Sequence, residues 1–559
     1  MRILSSRYSW LMLLLVLGIL SFSVHLLPAS ISQYPFNNDS LLEVRAAREI
    51  IDTGQLDLFR TGDSGATHSE STPAWNVLLA FAASLMGMDP MFVTQPVVAS
   101  VAPGITLMVF LLAFSLTRDT RSATIAALFV TLFGTFLYLS SSGWKLPLGV
   151  LLYIMVVYAY SMRDNVRMRI LMVLLLMVIP LVHHLVALIA YMTIAYLTGW
   201  SWFHVLAYGR PTRRHYLDLA TIVGFAALSM GYYYVVSLDR LSYIGSWKGL
   251  LLLFATMGLM LLLATVVLLR KSHSKLSFAP IPAILLFVLA VLDYQGYLFD
   301  YKPAQDAVFF LLISSAMAVM VLFAWYGLEQ AIESRSAYRV IPLGMLLPIA
   351  TLFVFGMISP TVEDSHQLIY RTFDLADPAL GLCIAAGFVT VFRSWKPKQV
   401  GVAIAAIFMA VLVSTVPFGI DTEEFTGVRH DTQGYELDAI DWLVSAHYNN
   451  TPFVTSDERI SYISYVLYDL GKANTLPGFL MSNHSLVPFV YNLYEESWSS
   501  RGVNDFPNGL ARPPQEFVNS LFEVQNVFYI GGPPGERLFI VQHTWIGQIQ
   551  NNWYYDYGY

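Results

Sequence analysis

Apolar runs separated by short polar loops recur along most of the chain. A transmembrane helix needs about 20 predominantly apolar residues, so a succession of such runs is typical of a polytopic membrane protein. The pattern predicts an α-helical bundle of about thirteen spans. The candidate spans are residues 8–28, 91–116, 122–140, 147–162, 168–183, 185–203, 217–236, 248–269, 278–297, 307–327, 340–358, 379–393 and 400–418.

Basic residues lie in loops on alternate sides of successive spans. Because Lys and Arg accumulate in cytoplasmic loops, this alternation predicts a cytoplasmic N-terminus and an extracytoplasmic C-terminal region in the plasma membrane. We interpret the first run as an uncleaved helix, since it is longer than the core of a usual signal peptide. The basic clusters are Arg2/Arg7, Arg118/Arg121, Arg163/Arg167/Arg169, Arg210/Arg213/Arg214, Arg270/Lys271/Lys275, Arg335/Arg339 and Arg393/Lys396/Lys398.

The polar loop after the first span carries helix signals. Ser40 and Glu43 form a capping-box pattern, apolar residues follow at helical spacing, and Gly54 suits a helix end, which places Asp39 just before the helix. A second helix is predicted over 72–87, between an N-cap threonine and a glycine. About fourteen helical residues reach only about 21 Å, less than the hydrocarbon core, so we expect both helices to lie along the external membrane surface.

After residue 418 the composition becomes polar and acidic. The segment YELDAIDWLVSAH predicts an amphipathic helix, and PFVTSD, NVFYIGG and RLFIVQ predict strands. We therefore expect a C-terminal extracytoplasmic α/β domain. The predicted organisation is a first transmembrane helix (1–28), an external loop with two membrane-parallel helices (29–90), a transmembrane bundle of about 12 helices (91–418) and the α/β domain (419–559).

Composition agrees with a membrane protein and excludes several functions. The 559 residues are 56% hydrophobic and 13% charged, with a net charge of -6 and no long basic tract, which argues against a nucleic-acid partner. A single cysteine, Cys383, excludes intrachain disulfides and cysteine metal sites. The chain has no G-x-x-x-x-G-K-[ST], G-x-G-x-x-G or H-E-x-x-H, the motifs of nucleotide hydrolysis, dinucleotide redox chemistry and zincins.

Asp39 is the first candidate for chemistry in the external loop. One interpretation is structural, because an acid at a helix N-terminus interacts favourably with the helix dipole. The other is catalytic: a carboxylate held at the membrane surface can accept the proton of an acceptor hydroxyl as a general base.

A divalent-metal site is a second hypothesis. His68 and Glu70 are separated by one residue, and His183 and His184 lie at the external end of a span. Glu70 with one of these histidines supplies ligands that a divalent ion accepts. The alternatives are a chance pair in a polar loop and interfacial histidines that carry no ion.

Three basic residues are candidates for binding a phosphate. Arg371 lies between late spans on the external side, and its planar guanidinium suits two phosphate oxygens, although pairing with a neighbouring surface acid is the alternative. Lys145 is the sole charge of a short external turn, and Lys302 occupies a similar loop.

This layout resembles the GT-C superfamily of integral-membrane glycosyltransferases. The early acid in Phe36-Asn37-Asn38-Asp39 is similar to the acid of their first external loop, and Thr72-Pro73-Ala74-Trp75 resembles the second-helix opening of protein mannosyltransferases and aminoarabinose transferases. Thirteen spans before an external domain are similar to the catalytic oligosaccharyltransferase subunit. The chain departs from that subunit in two ways. An acidic pair is expected in the second external loop, but residues 140–147 hold none. The W-W-D-Y-G motif is expected at the start of the external domain, but the nearest match is at residues 554–558.

The resemblance implies a transferase that moves one sugar from a polyprenyl- or dolichyl-phosphate donor, drawn from the membrane lipids, to a hydroxyl of a protein, lipid or glycan. Asp39 would be the base of an inverting displacement on the extracytoplasmic face, while Arg371, with Lys145 or a metal ion, would stabilise the departing phosphate. A secondary transporter or flippase is an alternative, as is a non-catalytic assembly protein. Spans nearly free of charge favour interfacial chemistry over transport.

Overall fold

The computed structural model describes residues 7–35, 38–56, 72–133, 137, 145–236, 247–269, 284–285, 288, 307–333, 340–358, 372, 374–391, 401, 432–446, 453–468, 470–472, 490–495, 503–505, 509–512, 526–532, 534, 537–543 and 554–555. The helices are α1 (Arg7–Leu26), α2 (Pro28–Ile31), α3 (Asn38–Thr53), α4 (Pro73–Met86), α5 (Pro90–Thr117), α6 (Thr120–Leu132), α7 (Leu146–Ser161), α8 (Val166–Val182), α9 (His184–Tyr208), α10 (Arg213–Val236), α11 (Trp247–Leu269), α12 (Ala307–Glu333), α13 (Val340–Ile358), α14 (Asp377–Val391, after a 3-10 turn at Asp374–Ala376), α15 (Gly434–Ala446) and α16 (Glu458–Tyr468). The strands are β1 (Phe453–Thr455), β2 (Gly471–Lys472), β3 (Val490–Glu495), β4 (Val503–Asp505), β5 (Gly509–Arg512), β6 (Asn526–Gly531), β7 (Leu538–His543) and β8 (Tyr554–Tyr555).

The chain is a helical membrane protein. Among the described residues, α5, the first 24 residues of α9, and α10 are long and apolar enough to cross a bilayer, and several shorter helices are also apolar. Every predicted span coincides with one of these or another described helix, apart from 278–297 and 400–418, which lie almost entirely outside the described residues. The number of thirteen spans therefore stays a prediction.

The short helix α4 has the predicted bounds. It has 14 residues and ends at Gly87, whose φ of 63° is a left-handed conformation that favours glycine. Trp75 and Leu79 are fully buried on one side, while Phe81 and Leu85 are 64% and 76% exposed on the other. A helix that is apolar on its outward side as well suits the position at a membrane surface expected from its length.

The start of α3 differs from the prediction. The helix begins at Asn38, so Asp39 is its second residue and does not precede it. The capping-box interpretation of Ser40 and Glu43 is therefore wrong, because both residues lie within the helix and Glu43 contacts Lys145 instead. The end was predicted correctly: Gly54 has a φ of 66° and its N–H donates to the Ile50 carbonyl.

Ring contacts and ion pairs assign several helix ends to a common face of the bundle. Trp10, near the start of α1, packs edge-on against Phe114, near the end of α5, at 4.6 Å between ring centroids. Arg163, just after α7, and Arg169 of α8 both bind Asp218 near the start of α10, at 3.0 and 2.9 Å. We call the bundle ends that carry these arginines the basic face. Helix α7 runs from Lys145, at the opposite end of the bundle, to this face.

The opposite ends meet beside α3. Tyr233, near the end of α10, donates a hydrogen bond of 2.7 Å to the carbonyl of Pro180, near the end of α8. Arg48 of α3 binds Asp89, which caps the start of α5. We call this side the α3 face.

Polar contacts and close backbone approaches hold the apolar helices together. Thr106 of α5 hydrogen-bonds to Ser21 of α1 and to Thr131 of α6, each at 2.9 Å. At Gly327 of α12 and Gly387 of α14 an added Cβ would collide with the backbone of the other helix. Small residues of this kind let membrane helices approach closely where burial from water supplies little attraction.

Helix and strand predictions for the C-terminal region are confirmed at α15, β1, β6 and β7. The strands form a five-stranded sheet of order β2-β1-β3-β7-β6 and a three-stranded sheet of order β4-β5-β8. In the larger sheet β1 pairs in parallel with β2 and β3, whereas β3, β7 and β6 are antiparallel neighbours. The smaller sheet is antiparallel throughout.

An apolar core joins this region to the polar loop. Leu41 and Val44 of α3 and Leu79 of α4 pack in one cluster with Ile440 of α15 and Ile463 of α16, and each is at most 1% exposed. Helix α3 therefore has neighbours on both sides, the bundle and the C-terminal helices.

Replacing Gly327 by alanine should destabilise the bundle, because the new methyl group would meet the Cys383 carbonyl in α14. We expect a loss of about 1–3 kcal/mol in the free energy of unfolding. Thermal and SDS unfolding in detergent would measure it. Gly258→Ala of α11 is the matched control, since nothing lies within 4 Å of its added methyl. Equal stability of the two variants would contradict the close α12–α14 approach.

Candidate functional site

A buried ion pair connects α3 to the bundle. Lys145 Nζ lies 3.0 Å from Glu43 Oε1, and the two side chains are 9% and 5% exposed. The same ammonium donates a 2.6 Å hydrogen bond to Thr72 Oγ1. Three helices thus meet at one cation: Glu43 is in α3, Thr72 precedes α4, and Lys145 precedes α7.

Local sequence explains why Thr72 and Lys145 lie directly before helices. Pro147 occupies one of the first two positions of α7, where its missing N–H and fixed φ are tolerated, so the helix begins directly after Lys145. Pro73 begins α4 in the same way after Thr72. The threonine occupies the N-cap position but makes no capping hydrogen bond, and its hydroxyl accepts from Lys145.

The histidine pair lies beside the same end of α7. The Gly149 N–H donates to the Lys145 carbonyl at 3.2 Å, and an added Cβ at Gly149 would lie 3.3 Å from His183 Cβ. His183 is 5% exposed and caps α9, because its Nδ1 accepts from the Val186 N–H at 3.4 Å. The His183 and His184 rings stack at 5.1 Å between centroids. Because Gly149 is one helical turn after Lys145, His183 packs against α7 one turn from the lysine.

An apolar cavity lies next to this histidine pair and has His184 in its lining. Its volume is about 140 Å³, and its walls come from α9, α10, α11 and α13. Tyr191, Phe225 and Phe355 are among its apolar lining residues, whereas His184 and Ser229 are polar. The cavity is suited to a hydrocarbon chain whose polar end lies near the α3 face.

Asp39 lies one helical turn before Glu43 on α3. Residues four apart in an α-helix share a face, so position 39 belongs to the face that Glu43 directs toward Lys145. Contacts therefore run from this face of α3 through Lys145 and Gly149 to His183. The catalytic role of Asp39 itself stays a prediction.

Several predicted site residues lie outside the described residues, namely His68, Glu70, Lys302 and Arg371. Within the described ranges no group of three or more His, Cys, Asp or Glu side chains could hold a metal ion. Because Glu70 and His68 are not among the residues searched, the metal hypothesis stays a prediction.

Lys145 was predicted to contact a phosphate, and that contact also stays a prediction. The structure gives its ammonium two protein acceptors instead, Glu43 and Thr72. Sequence reasoning missed these partners, although Lys145 is the one charge of its turn and Glu43 is the acid one turn after Asp39. A buried lysine of this kind requires a nearby acid.

Two arginines of α3, Arg45 and Arg48, bind residues outside the helix. Arg48 makes two hydrogen bonds to the Asp89 carboxylate, at 2.9 and 3.0 Å. Arg45 donates to the Val466 carbonyl of α16 at 3.0 Å. Near them, burial and the adjacent Asp441 carboxylate raise the pKa of Tyr468. These contacts fix α3 between the start of α5 and the C-terminal helices.

Comparison with known proteins gives structural likenesses alone. No protein-family model and no curated protein matches the chain. Among solved structures it is similar to the arabinofuranosyltransferase AftD from Mycobacteria, with 16% identity and a TM-score of 0.42, over 79% of this chain and 29% of that one. It is also similar to ArnT from Cupriavidus metallidurans bound to undecaprenyl phosphate, with 11% identity and a TM-score of 0.41, over 96% and 98% of the two chains.

The chain spans less than a third of the length of the AftD structure, at 29%. Both TM-scores, 0.42 and 0.41, are below 0.5, so neither likeness carries a functional inference.

Lys145→Met should destabilise the protein strongly, since it leaves the Glu43 carboxylate buried without its cation. Breaking a buried pair costs about 3–5 kcal/mol of unfolding free energy. Arg48→Met is the control and breaks another ion pair of α3: the Arg48 and Asp89 side chains are each 36% exposed, and such pairs contribute about 1 kcal/mol or less. SDS unfolding in mixed micelles would compare them. Similar losses of unfolding free energy in both variants would show that burial does not increase the contribution of the Lys145 pair to stability.

Proposed function

We propose that this protein is a membrane glycosyltransferase that moves a sugar from a polyprenyl-phosphate donor to an acceptor hydroxyl on the extracytoplasmic side. One set of contacts supports the proposal: a buried ion pair joins the helix bearing Asp39 to the start of α7, α7 packs against His183, and the next residue, His184, lines an apolar cavity. An acid and an apolar cavity at one end of the bundle would suit a substrate with a hydrocarbon tail and a polar reacting group.

The cavity would take part of the isoprenoid tail, with the phosphosugar at the end near His184. Its apolar walls favour hydrocarbon over water, while the polar groups near the α3 face favour the phosphate and sugar. Arg371 and Lys302 are our proposed phosphate contacts. A divalent ion on Glu70 and a histidine is the alternative source of positive charge.

The reaction would be a single displacement. The acceptor oxygen forms a bond to the anomeric carbon as its proton passes to the Asp39 carboxylate. The bond from that carbon to the phosphate oxygen breaks, and its electron pair leaves with polyprenyl phosphate. Attack opposite the leaving group inverts the anomeric configuration. Positive side chains at the phosphate would stabilise the charge that grows as it departs.

We further propose that the basic face is cytoplasmic and the α3 face extracytoplasmic. The arginines around Asp218 gather at one bundle end, as the positive-inside rule requires of a cytoplasmic end. The described C-terminal helices pack on α3, at the other end. This orientation agrees with the use of a lipid-linked donor outside the cytoplasm.

Asp39→Asn should lower the rate of sugar transfer about 10²–10⁴-fold, because it removes the proposed base. The substrate would be the lipid-linked sugar fraction from membranes of the producing cell, and mass spectrometry would follow release of free polyprenyl phosphate in proteoliposomes. Asp52→Asn is the control, since Asp52 is exposed on the same helix. Wild-type turnover in Asp39→Asn would refute the catalytic assignment.

Cysteine labelling should reveal opposite sides of the membrane. The one native cysteine, Cys383, is buried, so added thiols dominate the signal. A membrane-impermeant maleimide should label Asp438→Cys in intact cells and Arg167→Cys only after permeabilisation, as both positions are exposed. Labelling of Arg167→Cys in intact cells would reverse the proposed orientation.

A further inference from the structure

We propose that Lys145 is a positioning residue, which sets the place of the Asp39-bearing helix through its buried pair with Glu43. This inference rests on the proposed function, because it concerns the base of that reaction. In this role Lys145 would influence turnover through the position of α3, and not through the phosphate contact predicted from the sequence.

The first support is the geometry of α3. Positions 39 and 43 share a face of this helix, separated by about one turn, or about 6 Å along the axis. A rigid helical turn carries any displacement of Glu43 to Asp39. The 3.0 Å contact between Glu43 and Lys145 therefore fixes helix positions 39 and 43 relative to α7.

The second support is the rigid setting of Lys145. The residue is 7% exposed and stands directly before α7, where its carbonyl accepts the Gly149 N–H. Two acceptors from separate helices, Glu43 and the residue before α4, hold the ammonium. A buried side chain with two charge-assisted contacts has little freedom to move.

The third support is the position of the other anchors of α3. Arg45 bonds to α16, and Arg48 bonds to Asp89 at the start of α5. Glu43 supplies the ionic contact to α7, and α7 is the helix that touches His183 beside the cavity. The pair thus relates the base to the cavity, which the other two anchors do not reach.

The central test replaces both partners together, as Glu43→Gln with Lys145→Met. The double variant leaves no unpaired buried charge, so it should fold even where the single lysine variant does not. Because a misplacement of about 1 Å can cost about 10²-fold in rate, we expect turnover of the extracted lipid-linked sugars to fall about 10–100-fold. The donor KM should stay within about twofold, since the pair binds no substrate.

A milder variant covers the case in which the double variant fails to fold. Thr72→Val removes one acceptor of the Lys145 ammonium and keeps the ion pair. We expect a smaller fall in turnover, again at unchanged donor KM. Hydrogen exchange of the α3 amides should be faster in both variants than in the wild type, and this readout requires no substrate.

Arg169→Gln is the matched control for loss of a partly buried ionic contact. Its guanidinium pairs with Asp218 on the basic face, where Arg163 would remain as a partner. Turnover per folded molecule should equal that of the wild type. An equal fall in this control would show a general loss of stability and would overturn the positioning role.

Asp39→Asn separates failure of this inference from failure of the proposed function. If Asp39→Asn is inactive while the folded double variant turns over at the wild-type rate, Lys145 has a structural role alone and the inference is wrong. If Asp39→Asn retains full activity, the proposed base is wrong and the inference falls with it. Loss of turnover in both, with unchanged KM, supports the positioning role.

Discussion

The contact between the Lys145 ammonium and the Glu43 carboxylate is the constraint on which the α3 face depends. Both groups are withdrawn from water, so each is costly without the other, and their attraction is strong where the surroundings are apolar. The hydroxyl of Thr72 adds a second acceptor and brings the start of α4 to the same point. Helix α3 and the starts of α4 and α7, which are far apart in sequence, are thereby held around a single charge.

Helix α3 also joins two parts of the molecule with different solvents. Its apolar residues lie in a core shared with α15, α16 and β7, which is built as in a water-soluble protein. Glu43 faces the end of a bundle whose own cohesion depends on interhelical hydrogen bonds and close glycine contacts. A ligand that moves the C-terminal helices would act on α3 directly, through the Arg45 contact.

The two charged clusters of the bundle have different settings. Asp218 on the basic face is shared by two arginines, one of which lies over the Tyr160 ring at 3.7 Å. That cluster ties α8 and the end of α7 to α10. The Lys145 cluster has fewer charges but adjoins the histidine pair and, through it, the apolar cavity. Proximity to a cavity makes the second cluster the better candidate for function.

Periodicity in the sequence determined most helices, the 14-residue length of α4 and the strands β1, β6 and β7, because these patterns depend on near neighbours in the chain. The sequence also singled out Asp39, as the acid before a predicted helix, and Lys145, as the sole charge of a short external turn. It placed the start of α3 too late, since Ser40 and Glu43 match a local capping pattern while a distant lysine binds Glu43. Only the tertiary structure decided that residues 43, 72 and 145 meet, that His183 lies next to Gly149, and that four helices enclose a cavity. Such contacts depend on how helices pack, and packing joins residues whose separation in the chain carries no signal.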